Sequence, residues 1–532
     1  MADAPRSESP GAARGGFDAI VIGSGIGGLA FAAIMARMSR WRVLVLEQHF
    51  KIGGFTHTFS RPGGWTWDVG VHYVGDMGPG MSARRLFDFI TDRGVDWSPL
   101  PDEYDVFLYP GFTLKVPKGQ KNYERALADA FPEEKQAIGE YFGDIARATG
   151  WFGRRMMAML TPQPVSWIVQ KINRSAEPLA LQTTEQYLQS KIRDPRLRAV
   201  LASQWADYGL PPERSAFVTH AIIVSHYLNG AWYPAGGAGE IAKAAGAVIR
   251  AAGGELLTGH EVTKIILEGG QAVGVEVQHK KGHEQPRLEF RAPVVVSDAG
   301  AWNTFARLLP AEAVPFRAEL NAPPEGMEAV QLFLGLKRDP RELGFRGENY
   351  WIFSGFDQNA ICAARNELLE GRAPMAYLSF PSLKDPRATT HTAEIIAPFS
   401  YGAVEAFRKE PWRRRGPDYD SAKDRITQAL LDLVEQHHPG FRSLVAYSEL
   451  GTPLTFEHFT AAPLGAIYGY PATPDKFRKP WLAPRTLIKN LYLTGTDASV
   501  LGVMGALMGG VATASLLVGP GGFPRIMRAA SK

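Results

Sequence analysis

Phe17-Asp-Ala-Ile-Val-Ile-Gly23-Ser-Gly25-Ile-Gly-Gly28, followed by the second apolar run Val43-Leu-Val-Leu-Glu47, reads as strand, glycine turn, helix, strand and acidic stop. Each glycine has its own task in such a turn. Gly23 permits the tight bend, Gly25 lets backbone N–H groups approach a pyrophosphate at a helix N-terminus, and Gly28 lets the helix lie close to the strand. Glu47 ends the second strand, where a carboxylate hydrogen-bonds the adenosine ribose hydroxyls. The stretch predicts an α/β fold with a Rossmann-type dinucleotide lobe.

The residues that come next select the nucleotide. Instead of a second βαβ crossover the chain runs Gln48-His-Phe-Lys-Ile-Gly53-Gly54-Phe-Thr-His57, then Trp65-Thr-Trp67-Asp68-Val-Gly70-Val-His72-Tyr73. Paired glycines directly after the acidic residue let the chain pass over an extended pyrophosphate, which points to FAD, bound non-covalently, rather than a nicotinamide. By themselves His57 and His72 read as packed polar residues more than as acid–base groups.

A chain of 532 residues exceeds the size at which one core keeps growing, so two or more lobes are expected. The net charge of +4 is small for this length, and there is no basic stripe interleaved with aromatics, which argues against a nucleic-acid partner. The single cysteine, Cys362, excludes an internal disulfide and a Cys-rich metal site and suggests a reducing, cytoplasmic compartment. No His or carboxylate cluster has metal spacing. Residues 1–16 lack the apolar core of a secretory signal and read as a disordered leader. The uncharged run Val500 to Val518 is long enough to span a bilayer, but its glycines and the preceding Tyr492-Leu-Thr-Gly495-Thr-Asp497 fit a buried helix aimed at a cofactor better.

Pieces 17–80, 233–305 and 485–520 share the composition of one nucleotide lobe, making the FAD-binding domain discontinuous and three-layered. Between them lie a mostly helical cap, 81–232, and a mixed α+β substrate domain, 306–484. Within the cap, Trp151-Phe-Gly-Arg154-Arg155-Met-Met-Ala-Met-Leu160 and Trp167-Ile-Val-Gln-Lys171-Ile-Asn-Arg174 combine tryptophans, apolar side chains and cations. That composition suits either peripheral membrane contact or a core-facing helix pair.

These blocks together resemble the flavoprotein family of phytoene desaturases, carotenoid isomerases and retinol saturases, and in particular its retinol saturase branch. Similar stretches are Gly53-Gly54 with His57-Thr-Phe, Asp68-Val-Gly70-Val-His72-Tyr73, Asp207-Tyr208-Gly209, His226-Tyr227 through Tyr233-Pro-Ala-Gly236-Gly237, Ser297-Asp-Ala-Gly300, Gly465-Ala-Ile-Tyr468-Gly469, and Leu491 through Asp497. The resemblance implies that Gly23, Gly25, Gly28 and Glu47 hold the ADP half of FAD, Gly53 and Gly54 lie by the pyrophosphate region, His57 is a further cofactor-binding residue, and Val262 meets the adenine through its backbone. It further implies that Gly495 and Asp497 lie near the ribityl and phosphate groups, and that Met504, Gly505 and Ala506 open a helix whose positive end faces the flavin ring. The chain departs from animal retinol saturases at Phe55-Thr56, where those carry cysteines, and at Thr496, where they carry Gln. FAD binding follows from the resemblance; retinol as the substrate does not.

The expected activity is flavin-dependent saturation of a carbon–carbon double bond in a hydrophobic polyene or isoprenoid lipid. A phytoene-type desaturase or carotenoid isomerase, or a flavin-stabilised lipid-binding protein without turnover, are the alternatives. Amine oxidation fits the middle and C-terminal blocks less well. Candidate proton donors are Tyr208, His226 and Tyr233, with Tyr227 and Tyr468 behind them. A second glycine fingerprint for NADPH is missing, so electrons are expected from a separate donor protein or from a visiting NAD(P)H.

Overall fold

The computed structural model describes residues 16–280 and 287–532. Apart from Gly16, the expected leader lies outside the described residues. Strands β1 (Ala19–Ile22), β2 (Val43–Glu47), β3 (Glu255–Thr258), β4 (Val295–Ser297) and β5 (Leu491–Leu493) form a parallel five-stranded sheet in the order β3-β2-β1-β4-β5. In register, Ile20 faces both Leu44 and Val295, and Val295 faces Leu491.

Both faces of this sheet are covered, which explains why β1 and β2 read as unbroken apolar runs. Ala19, Val21, Val43, Val45 and Val296 pack against helices α1 (Ile26–Ser39), Gly239–Ala251 and α4 (Gly502–Leu517). Their neighbours Ile20, Ile22, Leu44, Leu46 and Val295 pack against an antiparallel sheet of His260–Glu268, Gln271–His279 and Leu288–Arg291. The result is a three-layer α/β lobe built from chain segments far apart in sequence.

Helix α4 is not a membrane span. A Cβ on Gly510 would sit against the carbonyl oxygen of Gly27, and one on Gly509 against that of Gly495. The helix therefore lies backbone to backbone on α1 and on the loop before it, and its glycines are the price of that approach. Among the described residues no helix is long and apolar enough to cross a membrane.

A second sheet of seven strands runs in the order Val445–Gly451, Ala329–Leu336, His391–Pro398, Met375–Ser379, Asn349–Phe353, Glu103–Tyr109, Phe112–Pro117. Its alternation divides labour between two faces. Val330, Leu332, Leu334, Ile352, Leu378 and Ile395 pack against helix Pro417–His437, while Gln331, Phe333, Trp351, Tyr377 and Ile396 line a cavity on the other face. The hairpin Glu103–Pro117 lies inside the stretch read from sequence as the helical cap, yet it closes this sheet. Helices α2 (Lys135–Leu160), α3 (Val165–Asn173) and Phe217–Tyr227 supply the cap.

Candidate active site

One cavity of about 810 Å³ runs from the N-terminus of α1 across the floor of the seven-stranded sheet. At the nucleotide end its wall includes Gly23, Gly25, Glu47, Gly53, Gly54, His57, Val262, Gly495 and Asp497. Glu47 sits at the C-terminal end of β2, with three of its roughly four acceptor sites already in use: Oε2 accepts from Ser24 N at 2.9 Å and Ser24 Oγ at 2.6 Å, and Oε1 accepts from His49 N at 2.7 Å. These bonds fix the carboxylate at the cavity edge. Asp497 accepts from Ala301 N and Tyr470 N, both at 2.7 Å, tying β5 to the loop after β4. Gly53 takes φ 119°, a left-handed value, and donates its N–H to Ser24 Oγ at 3.1 Å.

The cradle is one that side chains would fill. A Cβ on Gly25, Gly27 or Gly495 would collide with the carboxyl of Asp298. That leaves bare backbone at the α1 N-terminus, where first-turn N–H groups and the helix dipole favour an anion. With the Glu47 carboxylate at the end of β2 on the same wall, these residues fit the ADP portion of FAD. Asp298 is a member of this cradle that the sequence reading quoted but gave no role. Burial pushes its carboxyl up to about 8, helped by the charges of Glu47 and Asp497 and opposed by the N–H groups of Gly28 and Gly25. A neutral acid there does not repel a bound pyrophosphate as a carboxylate would.

Three expected cofactor contacts lie behind the wall. A Cβ on Gly28 would collide with Gly23 O and crowd Val21, so the bare glycine is what close helix–strand packing requires. Met504 and Gly505 turn away from the cavity, and the wall is made by Gly502, Val503 and Ala506 instead. Val503 and Ala506 are three residues apart and share a helix face; Gly505 faces Val500 O, and Met504 packs into the helical layer. His57 lines the cavity with Nδ1 on Gly54 O, and burial holds its ring down to about 4, so it is neutral.

The candidate proton donors are placed differently again. Tyr208, His226 and Tyr233 are absent from the cavity wall, because each spends its polar atom inside the fold. Tyr208 Oη is 3.3 Å from His220 Nδ1, His226 Nε2 accepts from Gly75 N at 2.9 Å, and Tyr233 donates a short hydrogen bond to Asp68. Tyr227 stacks on Tyr73 at 4.3 Å, and Tyr468 does reach the wall.

A different acid faces the cavity. Asp207, on the short helix Trp205–Tyr208, contributes to the wall beside Trp351, Met375, Tyr377 and Ile396. Its Oδ2 accepts from Tyr73 Oη at 2.8 Å, and the same hydroxyl lies 3.3 Å from Asp105 Oδ2. Asp105 also accepts from Gln204 Nε2 at 2.9 Å and Asn349 Nδ2 at 3.0 Å. Burial, then the charge of Asp105, pushes Asp207 up to about 8, while burial, opposed by the hydrogen bonds from Asn349 and Gln204, leaves Asp105 at about 6. Lys384 is the nearby cation. Its Nζ donates to His72 O at 2.9 Å and Ser379 Oγ at 2.7 Å, and burial lowers it to about 8.

Next along the wall, His72 Nδ1 is 2.8 Å from the fully buried Glu394 Oε2, without a well-aligned hydrogen bond. Glu394 in turn accepts from Asp68 N at 3.1 Å, and burial followed by the charge of Glu394 pushes Asp68 up to about 7. One lysine cannot neutralise Asp68, Asp105, Asp207 and Glu394 together, so this buried cluster stores protons at neutral pH. The Tyr377 hydroxyl, in the same wall, has no well-aligned hydrogen bond among the described residues, Ser379 being its polar neighbour. The arrangement is a dinucleotide cradle opening into an aromatic and aliphatic chamber with a protonated carboxylic acid on its wall. Among the described residues there is no His, Cys, Asp or Glu group that could hold a metal ion.

Comparison with known proteins follows the same outline. A profile described as flavin containing amine oxidoreductase matches residues 26–518. The chain is 34% identical over 535 residues to all-trans-retinol 13,14-reductase of Danio rerio, covering 94% of this chain and 86% of that protein. It is 27% identical to prolycopene isomerase 2, chloroplastic, of an Oncidium hybrid cultivar, covering 96% of this chain and 85% of the relative. Among solved structures, cyclohexylamine oxidase from Brevibacterium oxydans superimposes with a TM-score of 0.60 at 18% identity, covering 97% of this chain and 100% of that one, a likeness of fold.

Proposed function

The chain belongs to the flavin containing amine oxidoreductase family, alongside the all-trans-retinol 13,14-reductases, and is an FAD-dependent oxidoreductase; on that footing we propose that it saturates a carbon–carbon double bond of a hydrophobic polyene or isoprenoid lipid, retinoid- or carotenoid-like. The observation that carries this reading is the wall shared by the nucleotide cradle and the protonated Asp207.

In this reading Gly23, Gly25, Glu47, Gly53, Gly54, Val262, Gly495 and Asp497 hold FAD non-covalently, with Asp298 kept neutral beside its phosphates. When bound, the flavin supplies a hydride equivalent to one alkene carbon. The chain's own residues do the rest. Phe333, Trp351, Met375 and Ile396 hold the polyene and exclude water. Asp207 gives its proton to the other alkene carbon, so that the π bond is replaced by two C–H bonds. Tyr73 bridges Asp207 to Asp105, a route by which the lost proton is replaced. A neutral acid with a value near the working pH is suited to that step.

The test is anaerobic. Protein reduced with dithionite and mixed with all-trans-retinol or a carotenoid is expected to regain its oxidised flavin spectrum as the polyene loses conjugation. Bleaching of oxidised flavin by a more saturated precursor would instead assign the desaturase direction, and geometric isomerisation without net redox the isomerase. Tight polyene binding with no spectral change in either flavin state would assign a carrier. NAD(P)H or a separate reductase is proposed as the electron source, distinguished by whether NAD(P)H alone reduces the flavin.

A further inference from the structure

Helix α3 is built inside out. Its buried residues are polar: Ser166 and Asn173 are each 6% exposed. Ser166 Oγ donates to Ala158 O at 2.8 Å, Asn173 Nδ2 donates to Trp151 O at 3.0 Å, and Asn173 Oδ1 accepts from Arg154 Nε at 2.9 Å. Those bonds dock α3 on α2 through its hydrophilic side. The opposite side points away from the protein and carries Val165 (47% exposed), Trp167 (56%), Ile168 (47%) and Ile172 (62%), with Met157 of α2 (53%) beside them in sequence across the turn. Elsewhere among the described residues, the large apolar side chains exposed to this degree are Phe50 and Leu487, far from it in sequence. Folding alone gives no reason to orient an amphipathic helix this way, because burying the isoleucines and exposing the serine and asparagine would be the more stable choice.

Charge is equally one-sided. From Ile145 to Ala176 the chain contains Arg147, Arg154, Arg155, Lys171 and Arg174 and no aspartate or glutamate, and although Arg147 is paired with the flanking Asp144 at 2.7 Å, Lys171 and Arg174 on and beside α3 have no acidic partner among the ion pairs of the described residues. Lys171 Nζ lies 5.0 Å from the centre of the Trp167 ring, so cation and aromatic share the outer face. At nine residues α3 is too short to span a bilayer and is suited to lie flat in its interface. A second copy of the chain would bring the same cations face to face and repel. We infer that the α2–α3 hairpin inserts its apolar face into the surface of a bilayer containing anionic lipid, with its cations against the headgroups. The hairpin base is tied to the cofactor lobe: Trp151 packs on Phe477 at 6.1 Å, and the adjacent Lys476 donates to Thr496 O at 3.2 Å. This inference is independent of which reaction the cavity performs.

The experiment is co-sedimentation of the full-length flavoprotein with vesicles of phosphatidylcholine, with and without phosphatidylglycerol. Wild type is expected to sediment with the phosphatidylglycerol vesicles and to be released by salt. Ile168→Asp/Ile172→Asp is expected to weaken binding at least about tenfold, and Lys171→Glu/Arg174→Glu to abolish the preference for the anionic lipid. Flavin content and melting temperature should be unchanged in both, since all four side chains are exposed. Should a variant lose its flavin, quenching of wild-type tryptophan fluorescence by brominated lipid decides: quenching supports insertion, and its absence overturns it. The inference also fails if wild type ignores both vesicles, if the variants bind as wild type does, or if wild type is a dimer that Ile168→Asp/Ile172→Asp converts to a monomer.

Discussion

Replacing Asp207 with Asn gives the sharpest test of the proton source, because it alters stability and rate in ways that are separately calculable. The carboxyl is raised by burial and by Asp105 from the ordinary aspartate range to about 8. A raised folded value means that its contribution to stability is complete below the unfolded value and is lost as pH rises through about 8. Between pH 7 and pH 9 the native state gives up nearly a whole proton that the unfolded chain has already lost, which costs on the order of 1 kcal/mol. Asn has no such proton, and its amide oxygen still accepts from Tyr73. The wild type should therefore melt lower at pH 9 than at pH 7 by roughly 1 °C more than Asp207→Asn does. Kinetically, single-turnover reoxidation of reduced flavin by a polyene should fall about 10²- to 10⁴-fold in the variant. Wild-type rates should decline as pH rises through about 8, whereas the residual rate of the variant should lack that limb. Stopped-flow absorbance measures both. A variant that keeps the wild-type rate and the alkaline limb would refute the assignment of Asp207 as the acid.

The remaining predictions concern the cradle, the chamber and the residues set aside. Gly510→Val would force a side chain against Gly27 O and push α4 off α1; the protein should purify largely without flavin and melt lower, by an overpacking cost of about 1–3 kcal/mol or more. Glu47→Ala removes the acceptor for Ser24 N, Ser24 Oγ and His49 N as well as the carboxylate proposed to hold the ribose; flavin affinity by fluorescence titration should drop at least about 10-fold. Tyr377→Phe deletes a hydroxyl that makes no well-aligned hydrogen bond among the described residues, so the melting temperature should hold while KM for a hydroxylated polyene rises relative to its hydrocarbon analogue. His226→Ala leaves Gly75 N without its acceptor and should destabilise by about 1–3 kcal/mol without shifting the pH profile of flavin reoxidation.

How far the sequence reached depends on how local each feature is. The nucleotide lobe was legible because close approach of backbones leaves a mark that cannot be moved: Gly23, Gly25 and Gly28 at a turn, Gly53-Gly54 after Glu47, and the glycines of α4 where it meets Gly27 and Gly495. Strands covered on both faces announced themselves as unbroken apolar runs, and three such pieces were enough to specify a discontinuous α/β lobe. The hairpin Glu103–Pro117 was less readable, since which sheet a strand joins depends on partners distant in the chain.

The proton chemistry had no local mark at all. Tyr208, His226 and Tyr233 have side chains suited to acid–base work, but the fold assigns each to a hydrogen bond away from the cavity. Asp207, Asp105, Lys384, Glu394 and His72 come from separate elements, and their protonation is set by burial and mutual repulsion, which exist only once those elements are packed. The same holds for α3: its composition of tryptophan, isoleucine and lysine is written in the chain, while the direction its apolar face points was decided by the hydrogen bonds of Ser166 and Asn173 to α2. Backbone geometry is encoded residue by residue, whereas desolvation and orientation are properties of neighbours, and only the tertiary structure chooses those.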